Sequence, residues 1–393
     1  IIEAISLFLN RNEYMVLVTG ECSPADTSFS ATLTVNEKPE ISEQPVSRTI
    51  CEGESTTFEV ETGVTTDPEY LWEVDPNTGT FVTANIGSHS GETTAVLSVS
   101  NATSAMNGYL YRVIISGECT PDDTSNIVSL NINEAPEIIG DFPHDTTVCE
   151  GSNIELTVDP GVTTNPQYQW MEFDGSSWSD IPPGGNYLGV NNRTLNVYNV
   201  DSAMTGYRYM VNVSGECSAS GVDSREATLT VNTSPLVVEH PVDTTVCEFE
   251  PLNMEGLAVG TAVSYQWQVD MGEGFIDFSD TIDVYSGTDT NILTIESPDR
   301  RYNNYRYRLK VTGTCEPVVY STAAVLNVAT APEIINDPVS DTICEFGNVS
   351  FTVDVEGAEL EYIWQESTGG SFYDLQDTGS YIGTGSSTMS RSE

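Results

Sequence analysis

Eight cysteines occupy regular positions along the chain, and oxidation to disulfides is the chemistry that these positions make available. Sixty-eight residues separate Cys51 from Cys119, and the two later pairs have the same spacing. The full set is Cys22, Cys51, Cys119, Cys149, Cys217, Cys247, Cys315 and Cys344. Regular cysteines in a chain with only two lysines are typical of an oxidising environment. We therefore expect disulfide bonds and an extracellular location at the cell surface.

The cysteines belong to a tandem repeat of 97 or 98 residues, which opens on Cys-Glu-Gly and later contains Gly-Tyr-x-Tyr. The repeat predicts a partial module over 1–36, three whole modules over 37–133, 134–232 and 233–329, and a partial module over 330–393. We call the whole ones modules 1, 2 and 3. Each junction is short, carries a proline and lacks glycine, as in Ala135-Pro136-Glu137. Such junctions restrict bending, so we expect an extended rod.

Apolar residues alternate with polar ones in short runs, which predicts half-buried strands. In module 2 the runs are Ile154/Leu156/Val158, Tyr168/Trp170, Leu195/Val197 and Tyr207/Tyr209/Val211. The apolar segment from Ile1 to Asn10 aligns with the middle of a repeat and is also predicted as a strand. Long amphipathic helices are missing, so the fold class is all-β. The predicted core residues are Trp72, Trp170, Trp267, Trp364, Tyr111, Tyr209 and Tyr307.

The charge is strongly acidic, with 59 acidic and 13 basic residues and a formal net charge of -46. Nucleic acid and anionic membrane surfaces would be repelled, so neither is an expected partner. No run of 18 apolar residues occurs, which argues against membrane insertion. Five cations interrupt the acidic trend: Arg300, Arg301, Arg306, Arg308 and Lys310. They either pair with carboxylates of the same chain or bind an acidic partner.

Catalytic patterns are not found. The three histidines lack the spacing of metal ligands, and His89 is placed in a loop rich in glycine and serine. The sequence contains no Gly-x-Ser-x-Gly elbow, phosphate loop or Cys-x-x-Cys pair. We therefore expect neither an enzyme nor a cofactor.

A tryptophan on the third strand and a tyrosine near the start of the sixth resemble the immunoglobulin-like (Ig-like) sandwich. The whole array, with its Cys-Glu-Gly opening and its Gly-Tyr-x-Tyr segment, resembles the Ig-like repeats of giant Bacteroidota surface adhesins. That resemblance implies export by the type IX secretion system and, for some members, a role in gliding motility. It also implies tandem Ig-like β-sandwich modules as the fold.

The cysteines depart from the Ig pattern, in which a disulfide joins the second and sixth strands. Valines such as Val158 and Val211 stand at those positions. In an Ig sandwich, Cys149 and Cys217 would lie at opposite ends, about 23 Å apart along a strand of about seven residues. Bonded Cα atoms lie only about 6 Å apart. The resemblance thus favours inter-module bonds, Cys51–Cys217 and Cys149–Cys315. The alternative is bonding within modules: Cys51–Cys119, Cys149–Cys217 and Cys247–Cys315.

Two kinds of surface site remain possible. Calcium needs clustered oxygen ligands, and Glu118 and Glu216 recur before the loop cysteines, while Asp122-Asp123 follows one of them. The Bacteroidota glycosylation pattern, Asp followed by Ser or Thr and then an aliphatic residue or Thr, is implied by the resemblance. It matches at Thr146, Ser202, Thr244 and Thr342.

The main functional hypothesis is a structural stalk of a cell-surface adhesin or filament, which supports a distal binding region. Its partners would be further modules of the same chain and like chains in a filament, while a glycan or protein ligand would bind elsewhere. One alternative is that the modules bind glycan or protein through their variable loops. A second alternative is an accessory region of a secreted enzyme.

Overall fold

A computed structural model describes residues 9–281 and 284–392. The strand expected over residues 1–10 therefore falls almost entirely outside the described residues. Two compact units are present. The first contains the residues up to Thr146, Ile154–Val197 and Gly206–Leu229. The second contains Thr147–Asn153, Tyr198–Thr205 and the residues from Thr230 onward.

The first unit begins with four short strands, paired as β1–β4 and β2–β3, and continues with module 1. The first four are β1 Glu13–Tyr14, β2 Leu17–Val18, β3 Asp26–Thr27 and β4 Ala31–Thr32. Module 1 contains β5 Ile41–Glu43, β6 Arg48–Cys51, β7 Thr56–Glu59, β8 Glu61–Thr62, β9 Glu69–Asp75, β10 Val82–Thr83, β11 His89–Ser90, β12 Val96–Val99, β13 Tyr109–Ser116, β14 Asp123–Thr124 and β15 Val128–Asn133.

Two facing sheets form the sandwich of module 1. One has the order β10-β9-β13-β15-β6 with β14 on β13, and the other has the order β11-β12-β7. Strand β6 pairs in parallel with β15, so that Cys51 lies opposite Asn133. A short β5–β8 pair and a 3₁₀ turn at Ser104–Met106 complete the module.

Module 2 repeats this strand plan with the sheets β16-β24-β22-β18-β19, with β23 on β22, and β17-β21-β20. Its elements are β16 Thr146–Cys149, β17 Ile154–Thr157, β18 Gln167–Phe173, β19 Trp178–Asp180, β20 Tyr187–Leu188, β21 Thr194–Val197, a 3₁₀ turn Ser202–Met204, β22 Arg208–Gly215, β23 Ser218–Asp223 and β24 Ala227–Asn232.

The second unit contains module 3, with the sheets β26-β35-β33-β29-β30, with β34 on β33, and β27-β32-β31, and a β25–β28 pair. Its elements are β25 Leu236–Glu239, β26 Thr244–Cys247, β27 Leu252–Glu255, β28 Leu257–Val259, β29 Ser264–Asp270, β30 Phe275–Asp277, β31 Tyr285–Ser286, β32 Ile292–Ile295, a 3₁₀ turn Arg300–Tyr302, β33 Arg306–Thr312, β34 Val319–Tyr320 and β35 Ala324–Ala329.

The last strands of this unit pair as β36–β38, β41–β42–β37 and β39–β40. They are β36 Glu333–Asn336, β37 Val349–Thr352, β38 Asp354–Glu356, β39 Gln365–Glu366, β40 Tyr373–Asp374, β41 Tyr381–Ile382 and β42 Thr388–Arg391.

The cores follow from the alternation of apolar and polar residues, because successive side chains of a strand point to opposite faces. Strand β13 has alternating buried and half-buried residues and places Tyr111, Val113 and Ile115 inside. The three central tryptophans and tyrosines, Trp72, Trp170, Trp267, Tyr111, Tyr209 and Tyr307, are all fully buried. Each buried tryptophan also donates its indole N–H to a backbone carbonyl, as Trp72 does to Thr94 O at 3.0 Å. Burial and hydrogen bonding together fix the ring.

Trp364 is an exception to the predicted core, since it is only partly buried. Its indole N–H still donates to Ser386 O at 2.8 Å, as in the complete sandwiches. The described residues after it include no counterpart of β33 and β35, whose side chains cover Trp267. An apolar groove lined by Ile334, Leu360 and Trp364 is therefore open there.

Candidate functional site at the joints between repeats

The segment that enters each repeat is held by hydrogen bonds between its main chain and a threonine side chain. At the entry to module 2, Glu134 N donates to Thr164 Oγ1 at 2.8 Å, and Thr164 N donates to Glu134 O at 3.3 Å. Glu137 N donates to Thr163 Oγ1 at 3.0 Å. Two bonded points on a four-residue segment fix its direction, which makes the joint stiff. We call this arrangement the threonine clamp.

The same clamp holds the other joints. Glu37 N donates to Thr66 Oγ1 at 2.9 Å, and Thr233 N donates to Thr261 Oγ1 at 2.9 Å. The sequence analysis missed these threonines. The signal was present in the recurrence of Thr65-Thr66 and Thr163-Thr164 at equivalent positions of the repeat.

A glycine lets the loop after the sixth strand approach each clamp closely. A Cβ added to Gly215 would lie 2.8 Å from Thr164 O, and one added to Gly117 would lie 2.8 Å from Thr66 O. Both distances are shorter than van der Waals contact permits. The glycine of the recurring Gly-Glu-Cys segment is therefore required by close packing of two backbones.

Cys51 and Cys217 are bonded across the joint between modules 1 and 2, with their Cα atoms 5.6 Å apart. Cys51 ends β6 opposite Asn133, the last residue of β15. Cys217 follows β22, and its Sγ lies 3.4 Å from Asn133 O. The carbonyl oxygen of Asn133 thus marks the point where the end of one repeat meets the loop of the next.

The second unit contains the equivalent bond, between Cys149 and Cys315, with a Cα separation of 5.8 Å. Cys315 is buried, and its Sγ lies 3.6 Å from Asn232 O. Each bond spans 166 residues of sequence. These are the inter-module pairs that the resemblance favours, and neither alternative pair that uses these four cysteines, Cys51–Cys119 or Cys149–Cys217, is formed.

Four described cysteines keep free thiols: Cys22, Cys119, Cys247 and Cys344. The third within-module pair, Cys247–Cys315, is excluded because Cys315 is bonded to Cys149. Cys119 Sγ lies 3.5 Å from Asn36 O, the same contact that Cys217 makes with Asn133. Cys119 is therefore positioned like the bonded loop cysteines.

The cations of module 3 lie on the outer face of β33, with Tyr307 and Leu309 between them in the core. Lys310 Nζ lies 2.8 Å from Asp277 Oδ2, and this contact lowers the pKa of Asp277 and raises that of Lys310. Arg306 lies 3.7 Å from Asp270. At the 3₁₀ turn, Arg301 pairs with Asp299 at 2.6 Å, and Arg300 lies 3.8 Å from Glu248. Four of the five cations are thus neutralised within the chain.

Arg308 differs from its four neighbours. Its guanidinium lies between two aromatic rings, with Cζ 4.0 Å from the centroid of Phe275 and 4.3 Å from that of Tyr320. Its Nε donates to Gln268 Oε1 at 2.7 Å. In module 1 the equivalent Arg112 faces Glu73 and pairs with it at 2.7 Å. Within residues 9–281 and 284–392, Arg308 has no carboxylate within 4 Å.

The proposed calcium ligands are used for other contacts or are dispersed. Asp123 Oδ2 accepts a hydrogen bond from Ile41 N at 2.9 Å, and Glu216 Oε1 accepts one from Asn165 at 3.2 Å. Over the described part of the chain, no group of three or more His, Cys, Asp or Glu side chains is arranged to hold a metal ion.

The four glycosylation candidates lie on accessible or half-accessible backbone. Thr146 and Thr244 begin β16 and β26 and are half-buried, and each hydroxyl donates to the carbonyl two residues earlier, at 3.1 and 3.0 Å. Ser202 is exposed, and its hydroxyl donates to Glu150 Oε1 at 3.2 Å. Thr342 is exposed.

His89 lies in β11, not in a loop as the sequence analysis expected. Its Nε2 is 2.9 Å from the hydroxyl of Tyr111, and its Nδ1 is 2.6 Å from Ile86 O. Burial lowers the pKa of this imidazole. The equivalent positions of modules 2 and 3 hold Tyr187 and Tyr285. His89 is therefore a structural partner of Tyr111 and has no catalytic neighbour among the contacts described.

No helix within the described ranges is long and apolar enough to cross a membrane. No protein-family model and no curated protein sequence matches the chain.

Solved structures do resemble it. An I-band fragment of titin covers 75% of this chain and 99% of the fragment, at 17% identity and a TM-score of 0.53. A three-Ig variant from titin covers 74% of this chain and 98% of its own, at 18% identity and a TM-score of 0.53. The eight N-terminal Ig domains of the Down Syndrome Cell Adhesion Molecule cover all of this chain (100%) and 50% of their own, at 17% identity and a TM-score of 0.41. The titin fragments, together with the sheets above, identify this chain as an all-β protein of tandem Ig-like sandwiches.

Proposed function

We propose that the chain is part of a structural stalk that holds a binding region away from a cell surface. The observation that carries this proposal is the pair of disulfides that cross successive joints, each spanning 166 residues. A bond between neighbouring repeats does not close a loop within one sandwich, so its main effect is on how repeats move relative to each other. The threonine clamp acts on the same joint.

The chemistry of the surface supports this reading. Disulfides persist in oxidising compartments, which places the protein outside the cytosol. A net charge of -46 keeps neighbouring stalks soluble and apart. The groups that catalysis uses are engaged structurally where they have been located, as with His89 and Tyr111. An accessory role beside a catalytic domain of a secreted enzyme has no specific support in these contacts.

The finer proposals come from the resemblance of the repeats. We propose that the segments 1–36, 37–133, 134–232, 233–329 and 330–393 are Ig-like modules or parts of them, arranged as a rod. The protein would belong to a large Bacteroidota adhesin exported by the type IX system, with gliding as a possible context. Its partners would be further modules, like chains in a filament, and a ligand bound elsewhere.

Electron microscopy of intact source cells tests the stalk, with antibody raised against residues 134–329. We expect label along fibres that project from the surface. Label found only in the culture fluid, or spread evenly over the envelope, would contradict the proposal. Mass spectrometry of the native peptide that contains Thr146 tests glycosylation, and an unmodified mass would exclude that site.

A second candidate function is binding of an acidic glycan or protein by module 3. The specific observation is Arg308, whose guanidinium is held flat between Phe275 and Tyr320 without a carboxylate among the described residues. Planar guanidinium groups bind carboxylates through two parallel hydrogen bonds. Binding of the full chain to a uronate polysaccharide should fall with Arg308→Gln. It should remain unchanged with Arg301→Gln, whose cation already pairs with Asp299.

A further inference from the structure

The two disulfides and the joints together define how tension passes along the chain. In each sandwich the segment that enters from the previous joint runs to the first cysteine, and the segment after the loop cysteine runs to the next joint. In module 3 these segments are 233–247 and 315–329. Each is only about 15 residues long, whereas the remaining part of the module, 248–314, contains most of the core.

The two short segments lie side by side and run in the same direction. Strand β26 pairs in parallel with β35, from Thr244 opposite Leu326 to Cys247 opposite Ala329. In module 1, β6 and β15 pair in the same way, and Cys51 lies opposite Asn133. Both segments of a sandwich therefore finish at the same joint, one at a cysteine and the other at the peptide linker.

The bonds connect these segments into continuous covalent lines. From Cys51 the first line crosses to Cys217, follows the backbone through the joint after module 2 and reaches Cys247, only 30 residues further on. The second line runs from Cys119 to Cys149, also 30 residues, and crosses to Cys315. Without the bonds, 196 residues would separate Cys51 from Cys247, and the same number would separate Cys119 from Cys315.

We infer that the array is a load-bearing cable of two covalent lines, and that unfolding of a sandwich cannot lengthen it appreciably. This inference rests on the proposed stalk function and assigns its mechanical mode. Strands rise about 3.3 Å per residue and are already close to full extension, so little length is stored in the loaded segments. The core between the lines carries no tension and keeps the two lines in register.

The arrangement also changes how the paired strands are loaded. In a sandwich without such bonds, tension would pull the entering strand and the leaving strand in opposite directions and shear their hydrogen bonds. Here each of the two strands is anchored at both ends to the neighbouring repeats. The parallel pair β26–β35 is therefore stretched along its length and is not sheared.

Optical-tweezer extension of the full chain tests the inference. Handles are attached through azide side chains that replace Ala135 and Ala331, which are both exposed. With the bond Cys149–Cys315, the path between the handles has 14 and 16 residues on either side of the bond, 30 in all. Its full length is about 100 Å at roughly 3.4 Å per residue. We expect the oxidised chain to reach this length and stop, at forces that unfold single sandwiches.

Other lengths would overturn the inference. Bonds within modules would leave a path of 60 residues, about 200 Å, and no bond would leave 196 residues, about 670 Å. The double variant Cys149→Ser/Cys315→Ser should extend to the longest value. The matched control Cys51→Ser/Cys217→Ser should behave as the wild type, because its bond lies outside the short path between the handles. None of these lengths depends on where the protein resides, so a failed cell-surface label would not affect them.

Discussion

Thr164 Oγ1 accepts a hydrogen bond from the backbone N–H of Glu134 at 2.8 Å, and the two residues lie on opposite sides of a junction between strands of successive repeats. Replacing Thr164 with valine keeps the side-chain volume but removes the acceptor, and leaves a half-buried N–H without its partner. The loss should be about 1 kcal/mol of local stability. We expect hydrogen exchange at Glu134 to accelerate about fivefold, while Thr164→Ser keeps the wild-type rate. Equal rates in the valine variant and the wild type would contradict the clamp.

Gly215→Ala should destabilise the same joint, because the added Cβ would lie 2.8 Å from Thr164 O. Overpacking against backbone typically costs about 1–3 kcal/mol. Gly379→Ala is the matched control, since nothing lies within 4 Å of its added Cβ and its φ is not in the left-handed region. Urea unfolding of both variants decides the matter. A Gly215→Ala chain as stable as the control would show that the loop and the clamp do not pack as closely as described.

The His89–Tyr111 pair should make module 1 sensitive to pH. Burial lowers the pKa of His89 below its ordinary value of about 6.5, so between these two values the unfolded chain binds more protons than the folded one. The contribution of neutral His89 is therefore complete above about pH 6.5 and is lost as the pH falls toward the lowered pKa.

Urea unfolding at pH 7.5 and pH 5.5 measures this effect. We expect the wild type to lose more stability than His89→Tyr, which has the residue found at the equivalent place in modules 2 and 3. The difference between the two chains cancels the carboxylates that titrate in both. Parallel losses in the two chains would show that the imidazole is not responsible.

Trp267→Ala should destabilise module 3 by about 3–5 kcal/mol, because it removes a fully buried side chain and leaves a cavity. Trp364→Ala should have a smaller effect, since that side chain is partly exposed and borders an open groove. Hydrogen exchange of β29 and of β39, resolved by mass spectrometry, reports the two sites separately. Equal losses at both sites would mean that Trp364 is buried as fully as Trp267.

Much of the fold could be predicted because the repeat supplies several examples of one pattern. Alternation in β13 and its equivalents predicted both the strands and the buried tyrosines, since a period of two has only one core-facing solution. The positions of Cys51 and Cys217 followed from the resemblance to an Ig sandwich, whose ends are fixed by strand length.

The joint itself could not be predicted in the same way. The clamp depends on backbone groups, such as Glu134 N, that carry no mark in the sequence. His89 was assigned to a loop because its neighbours are glycine and serine, yet pairing with β12 makes it part of a strand. Trp364 was assigned to the core because its sequence context matches Trp267, although burial depends on strands that come later in a repeat.

The positions of Cys51 and Cys217 also set an order of events during biosynthesis. Two other thiols, Cys119 and Cys149, emerge before the partner of Cys51 does, and the nearer of them is 68 residues away. Cys51 lies beside Asn133 at one end of module 1, and Cys119 lies beside Asn36 at the other. The eight-residue strand β13 spans about 26 Å of that sandwich. Folding before oxidation therefore keeps the nearer thiol out of reach, so we expect oxidation of an unfolded chain to trap Cys51–Cys119, detectable by peptide mapping, and oxidation of a folded chain to avoid it.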